Sequence, residues 1–515
     1  YSGWILKQVK DPEIRNSSAN FFDVNTNLTY RINNSNRLNY SYYRSGDKFN
    51  LLSNNEFNWE NELQSLKWNG NLTKKLFSSI TLSQSKYDYG AVEKNFLETF
   101  DYQSSLVDQN ANLDLNYLLK DNNTISLGIG LKKIQISPGK LLNINQDEQI
   151  LPVELEKEQG QEMAMYIQDE LALGEKIGLS YGVRMNIFRY LGPKTVFNYT
   201  PFQPRTETYI ESQTTFGKND LIKSYHGFEP RFSLRYTLDE HSSLKAGYNR
   251  LIQNIALISN TVSIAPTDVW KLADTHLQPS TSDQYSLGYF RNFLDNTYEF
   301  SIEAYFKQIN NLIDYKDGAN LLLNQTIETE LLSGEGLAYG IEVLLKKQIG
   351  TLSGWMSYTY SRSLRRVIGI FEDETINDGD WFPSFFDKPH DLTAVLQYRV
   401  SPRFKISSVF TYSTGRPISY PVAKFFYQNQ DVAFYESRNG FRVPDYQRLD
   451  FSMTWSFKTE KKILAGDWIL SIYNLTARRN AFSVFFDQEP FSPPQAYKLA
   501  TLGIAFPSLN YKISL

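Results

Sequence analysis

The sequence predicts an all-β protein, an antiparallel barrel whose strands cross a membrane. Three observations lead there. The stretch from Gln109 to Lys132 reads as a hairpin with two opposed faces. Ala111, Leu113, Leu115, Tyr117 and Leu119 alternate with Asn110, Asn112, Asp114 and Asn116. After Lys120-Asp121-Asn122-Asn123, Ile125, Leu127, Ile129 and Leu131 alternate with Ser126, Gly128, Gly130 and Lys132. A period of two sends each set to its own side of a sheet. The second observation is recurrence: the same unit returns along the chain, joined alternately by short turns and long loops. The third is composition. The 515 residues are 15% aromatic, with 34 Tyr and 34 Phe, yet they contain no apolar run long enough for a membrane helix.

The elements follow in order. Phe22, Val24, Leu28, Tyr30 and Ile32 alternate with polar residues, turn at Asn33–Asn36 and return through Leu38, Tyr40 and Tyr42. Leu66, Trp68 and Leu72 descend to Lys74-Lys75, and Leu76, Ile80 and Leu82 come back. The opening hairpin is next. Met163, Met165 and Ile167 then descend to Leu173–Lys176, and Ile177, Leu179, Tyr181, Val183 and Met185 rise again. Further short turns fall near Asp239-Glu240, Phe293–Asp295, Ile349-Gly350, Ser401-Pro402 and Thr459–Asp467. Long connections are expected near 137–160, 187–229, 251–280, 315–337, 361–388, 413–446 and 476–499. These are rich in Pro, Asp, Asn and aromatics, as loops are.

Strands of roughly ten residues, with short turns at one end and long loops at the other, are the pattern of a bacterial transmembrane barrel. A propeller would repeat a blade motif and a solenoid a fixed period, and the chain shows neither. Arg31, Asp114 and Arg184 all fall on polar faces, where they escape the roughly 2–4 kcal/mol that a midplane Lys or Arg facing lipid costs. In lipid the sheet must close. About nineteen strands are countable, ending with Phe506–Leu515. Bacterial barrels have even counts with both ends periplasmic, so the parity predicts a single barrel domain over 1–515 that is N-terminally incomplete, in the outer membrane of a Gram-negative cell.

Chemistry-bearing motifs are sparse. With no cysteine, disulfides and thiolate metal sites are excluded. A net charge of −3 without a basic block gives no footprint for nucleic acid. His226, His241, His276 and His390 lie in unrelated segments with no metal-ligand spacing. Gly128/Gly130 and Gly334/Gly336 do not open a helix after a strand, so they read as strand glycines beneath close neighbours. Asp373, Glu374, Asn377, Asp378 and Asp380 lack the spacing of a calcium loop. No enzyme, cofactor or metal is therefore expected. Trp270, Trp381, Tyr420 and Phe441 lie in long loops and are candidates to stack on a ligand; an interfacial girdle or plain loop packing accounts for the same residues.

Six segments of the second half together resemble the C-terminal barrel of TonB-dependent outer-membrane receptors, in the form common in Bacteroidetes. They are APTDVWKLADTHLQPSTSDQYSLGYFRNF from Ala265, GLAYGIEVLLKKQIGTLSGWMSYTYSRS from Gly336, FDKPHDLTAVLQYRV from Phe386, STGRPISYP from Ser413, RNGFRVPDYQRLDFSMTW from Arg438 and SIYNLTARRNAF from Ser471. MAMYIQDELAL from Met163 and SANFFDVNTNLTYRI from Ser18 extend the resemblance to most of the chain. It implies a barrel of about twenty-two strands, so about three strands, the lumen-filling plug and the TonB-binding segment are expected outside this sequence. The final Leu515 departs from the aromatic with which the family usually ends. The resemblance implies import of a siderophore, glycan, peptide or cofactor, driven by TonB through the plug. The alternative is a structural or docking barrel within a larger envelope complex, with a surface lipoprotein or other envelope proteins as partners.

Overall fold

The computed structural model describes residues 17–51, 55–94, 99–143, 152–258, 269–427, 430–458, 465–487, 495–500 and 503–514. One sheet of 21 strands dominates it. Two of these are two-residue rungs, Val153–Glu154 and Phe382–Pro383. The remaining nineteen form a wall. They are β1 Ser18–Asn33, β2 Asn36–Leu51, β3 Asn55–Asn71, β4 Leu76–Lys94, β5 Thr99–Lys120, β6 Asn123–Asn143, β7 Glu158–Leu173, β8 Ile177–Leu191, β9 Leu221–Asp239 and β10 Ser242–Gln253, followed by β11 Ser280–Phe293, β12 Tyr298–Tyr315, β13 Leu331–Lys347, β14 Leu352–Arg366, β15 His390–Ser401, β16 Phe404–Ser413, β17 Tyr446–Lys458, β18 Ala465–Tyr473 and β19 Phe506–Ser514.

Each wall strand pairs antiparallel with its sequence neighbours, in one uninterrupted meander. An odd-numbered meander leaves its two edges, β1 and β19, running in the same direction. No ladder joins them among the described residues. No α-helix occurs among the described residues, only short 3₁₀ turns.

The register sorts the side chains as the alternation requires. Asp114 lies opposite Gly128, and Gly128 opposite Tyr166. All three share the inner face, where the Tyr166 hydroxyl donates to Asp114 at 2.8 Å. Gly128 is needed there, because a Cβ would stand 2.1 Å from the Tyr166 ring. On the outer face Leu127, Ile129, Leu131, Met165 and Ile167 stay exposed. That band runs along β8 from Ile177 to Ile187, ten steps of about 3.4 Å, or about 26 Å of height at a tilt near 40°. This matches the hydrocarbon thickness that an outer-membrane wall must cover.

The expected loop boundaries need correction. The connection expected at 137–160 is wall as far as Asn143, and the one at 187–229 is wall to Leu191 and again from Leu221. The remainder of that second connection holds a hairpin, Lys194–Tyr199 with Ile210–Phe216. Strands fail to stop at the top of the lipid band because the backbone hydrogen-bond ladder is independent of what bathes the side chains. The alternation changes phase there instead. In β6, Lys132 and Lys133 follow each other, so Ile134 and Ile136 face inward where Gly128 and Gly130 did below. The turns at Asn33–Asn36, Lys120–Asn123 and Leu173–Ile177 lie where the pattern puts them. Most of the turn expected at Thr459–Asp467, and Leu515, lie outside the described residues.

Candidate functional site in the outer loops

Above the lipid band the inner face becomes apolar and is covered. Ile134 and Ile136 of β6, Phe188 and Tyr190 of β8, and Leu272 and Ala273 form one buried cluster. Leu272 belongs to an inward-folded hairpin, Ile255–Ile258 with Val269–Leu272. Each large side chain removed from water here contributes about 1.5–3 kcal/mol, which holds the hairpin on the wall.

A charged pin lies beside that cluster. Lys271 is 3% exposed, and its Nζ is 2.6 Å from Glu158 Oε1 and 2.6 Å from Asp274 Oδ2. One ammonium between two carboxylates leaves one negative charge. Three backbone N–H groups offset it: Leu272 donates to Glu158 at 3.0 Å, and His276 and Leu277 donate to Asp274 at 2.8 and 2.9 Å. Burial works against charge on Lys271, but Asp274 and Glu158 outweigh it and hold the ammonium pKa well above its ordinary value. Burial likewise opposes ionisation of Asp274, and Lys271 outweighs it, so the carboxyl stays below its usual range.

The pin is part of the floor of a cavity of about 300 Å³ between the wall and the loops. Val196, Phe197 and Trp270 line it together with the polar residues His276, Glu328 and Tyr190. Glu328 accepts the Tyr199 hydroxyl at 3.0 Å through one oxygen. Burial first, and then Glu328, push that phenol well above its ordinary pKa. His276 meets Tyr199 edge-on at 5.5 Å, and its Nε2 lies 3.1 Å from the Phe197 carbonyl. A carbonyl only accepts, so Nε2 carries the proton and Nδ1 is an acceptor in the neutral ring. Burial keeps the imidazole below its usual pKa.

Two further ion-pair networks fasten other outer loops to the wall. Arg438 reaches Asp314 Oδ1 at 2.7 Å and also pairs with Asp317, while Arg365 holds the other Asp314 oxygen at 3.0 Å. Asp387 is fully buried and is shared by Arg362 at 3.1 Å and by Arg442. Lower on the inner face, Arg184 lies 3.2 Å from Glu229 and 3.5 Å from Glu162.

The four aromatic candidates fall in three places. Trp270 lines the cavity and packs on the buried cluster. Tyr420 and Phe441 sit together, ring centroids 5.1 Å apart, joined by Phe486 at 5.0 Å from Tyr420. Trp381 is exposed beneath the Arg366 guanidinium at 4.9 Å. The histidines are dispersed: His226 is exposed on β9, His241 lies in the β9–β10 turn, His276 in the cavity, and His390 accompanies the Tyr358 hydroxyl at 2.9 Å. Among the described residues no group of three or more His, Cys, Asp or Glu is placed to hold a metal ion. Glu158, Lys271, Asp274, Tyr190 and Glu328 were not singled out from the sequence. The one local signal is Lys271 inside the apolar run Val269–Ala273, because a charge embedded there needs a partner. Glu158 is more than a hundred residues away in sequence.

The sequence pattern of the family described as TonB dependent receptor-like, beta-barrel, matches residues 8–475. No curated protein sequence matches the chain. Among solved structures, the ferric-catecholate import receptor Fiu from E. coli K12 is similar at 12% identity and TM-score 0.63, over 97% of this chain and 75% of that one. The siderophore receptor PiuA from Acinetobacter baumannii is similar at 12% identity and TM-score 0.62, over 97% and 75%. The ferric yersiniabactin uptake receptor FyuA from Yersinia pestis is similar at 11% identity and TM-score 0.61, over 97% and 71%. At such identities the likeness is one of fold. The family match spans most of the sequence, and the wall of antiparallel strands is a β-barrel's: this chain belongs to the TonB-dependent receptor-like β-barrel family.

Proposed function

We propose that this chain is the wall and outer receptor surface of an importer in a Gram-negative outer membrane, of the form common in Bacteroidetes. It takes up a scarce nutrient with energy delivered by TonB. The observation that carries the reading is the shape given to the outer end. Hairpins there fold inward and are fastened by buried ion pairs, so the mouth presents fixed polar and aromatic groups to anything entering. A wall of about this many strands is wide enough to leak, so the reading requires a lumen plug on which TonB acts. Glu162, Arg184 and Glu229 place charges of both signs along the inner face that such a plug, or a passing solute, would meet. Siderophores, glycans, peptides and cofactors are the cargo classes. The names of the three similar structures bring ferric siderophores forward among them. The test is nutrient-limited growth of a deletion strain, with and without the restored gene, in cells whose TonB is intact or disrupted. Restoration that needs TonB on at least one nutrient is expected; equal growth on every class tested sinks the reading.

A second reading, a docking barrel for a surface lipoprotein or a larger envelope complex, is favoured by exposed apolar loop tips. Phe202 is 94% exposed, Ile370 88% and Phe386 74%. Mild-detergent purification that yields the barrel alone would count against it.

A further inference from the structure

The cavity beneath the inward hairpin is bounded by the wall and outer loops of this chain. Three of its features fit a polar ligand. Tyr190 is 1% exposed, and its hydroxyl has no hydrogen-bond partner among the described residues. That hydroxyl lies in the fields of Glu158, Lys271, Asp274 and Glu328. An unsatisfied buried donor costs about 1–3 kcal/mol, so its retention at this place needs a reason. Glu328 is 9% exposed and gives one oxygen to Tyr199; no described cation pairs with the carboxylate. The protonated Nε2 of His276 leaves Nδ1 as a third acceptor at the same end.

The chemistry is lopsided. Glu154, Glu156, Glu158, Asp274 and Glu328 face Lys194 and Lys271 across the lining. Lys140 lies 3.5 Å from Glu154, and Arg205 donates to the Glu328 main-chain carbonyl at 3.2 Å, which leaves five carboxylates to four cations. Lys271 is already engaged by two carboxylates. An anion is therefore disfavoured, while a cation with N–H donors meets acceptors. A bare metal ion is a poor occupant, because Glu158 and Asp274 already hold Lys271 and no three-ligand group is placed for it. Trp270 and Phe197 supply an apolar side against which a short hydrocarbon body packs. The Tyr190 O–H needs an acceptor on the same molecule.

We propose that this cavity is a binding site for a small protonated primary amine bearing an adjacent carbonyl or hydroxyl. The ammonium donates to Glu328 and His276, the acceptor takes the Tyr190 hydroxyl, and the apolar body lies against Trp270 and Phe197. The site stands on the geometry of the loops and does not depend on how the barrel is energised.

The test is calorimetric titration of the purified barrel in detergent at neutral pH, with leucine amide as the probe. Leucine amide carries the ammonium, the neighbouring carbonyl and a branched apolar body. N-acetyl-leucine amide keeps the body and loses the charge, and isoamylamine keeps the charge and loses the carbonyl. Binding of leucine amide is expected, weakened about tenfold or more in the acetylated analogue, since a hydrogen bond to a charged group is worth roughly 1.5–3 kcal/mol. In isoamylamine, which loses a neutral bond of about 0.5–1.5 kcal/mol, it should weaken about threefold to tenfold. Glu328→Gln should weaken both amines. Tyr190→Phe removes a hydroxyl with no partner among the described residues, so the fold is kept; it should lower leucine amide to the level of isoamylamine and leave isoamylamine unchanged. Equal binding of the acetylated analogue, no heat from either amine, or a Tyr190→Phe barrel that binds leucine amide as tightly as the parent overturns the proposal. None of these measurements involves uptake, so the site can fail while the import reading stands, and the reverse.

Discussion

Replacing Lys271 by methionine keeps most of the side chain's volume and deletes the charge that joins Glu158 to Asp274. Each contact is 2.6 Å long. At an effective dielectric of about 20, one such contact is worth about 6 kcal/mol before desolvation. Removing the ammonium also cancels its own desolvation cost, several kcal/mol, but leaves two buried carboxylates with one negative charge more than before. Breaking a buried pair in this way costs about 3–5 kcal/mol. That loss should appear locally. The ladders of β6, β7 and β8 do not involve Lys271, whereas the hairpin and the residues to Leu277 sit on the wall through it, through two apolar clusters, the second built on Ile258, Val269 and Leu277, and through the Tyr225 hydroxyl on the Asp274 carbonyl. The assay is amide hydrogen exchange of the detergent-solubilised barrel, read at Leu272, His276 and Leu277, whose N–H groups donate to the two carboxylates. A shift of about 3 kcal/mol in the opening free energy speeds exchange more than a hundredfold, with amides of β6 and β8 below Leu131 unchanged. Adding Glu158→Gln to Lys271→Met should restore part of the protection, because it removes the excess charge. Exchange within a few-fold of the parent at those three amides would refute the reasoning and leave the apolar clusters as the main fasteners.

Mild acid should loosen the same hairpin. His276 and Asp274 both titrate below their ordinary values in the fold, so each binds fewer protons folded than unfolded. Their stabilisation is complete above the unfolded values and fades as pH falls, first through His276 below about 6.5 and then through Asp274 below about 3.9. A protection factor at Leu272, that is, the exchange rate corrected for its intrinsic pH dependence, that stays flat from pH 7 to 5 would contradict this. Arg438→Ala strips Asp314, 3% exposed, of one of its two guanidinium partners; a local loss of about 3–5 kcal/mol should open the loop at 414–445 to protease, and an unchanged cleavage pattern would refute it. Ile129→Arg puts a charge in the exposed apolar band and should cost about 2–4 kcal/mol in reversible unfolding from bilayers, whereas Gln135→Arg on the same face above the band should be nearly neutral; equal costs would misplace the membrane boundary.

The wall was largely legible and the site was not, and the reason lies in the range of the interactions. A strand pairing with its neighbour writes period-two alternation and a turn into the 24 consecutive residues Gln109–Lys132, which can therefore be read in isolation. The end of the lipid band could not be mistaken for anything but a loop while only the outward alternation was followed. At Lys132-Lys133 the outward apolar series stops, although the hydrogen-bond ladder continues to Asn143. The inward Ile134 and Ile136 carry the signal onward in the opposite phase. Lys271 is harder still. Its partners come from β7 and from three residues downstream, and only the fold brings Glu158 to it. The aromatic candidates were chosen for being large and in loops, which is why three of the four lie away from the cavity that holds Trp270.

The change of phase explains why the outer end can be rigid without a core of its own. Within the bilayer the apolar side must face lipid, so the lumen side is polar and offers a folded loop nothing to bury against. Above the bilayer, water is on the outside as well, and the outer residues Lys133 and Gln135 are polar in turn. Apolar residues then have only the inner face left, where Ile134, Ile136, Phe188 and Tyr190 form a shelf just above the lipid band. A hairpin long enough to reach inward can bury Leu272 on that shelf, and the desolvation it causes is what makes the Lys271 pin buried. The pin in turn fixes Trp270 and His276, which border the cavity. Each step needs the one before it. A loop packed outward would find no apolar partner, and a loop left free would lose affinity to the ordering of its own backbone on binding. Narrowing the mouth from the inside is therefore the arrangement that gives this wall a preformed surface facing what enters.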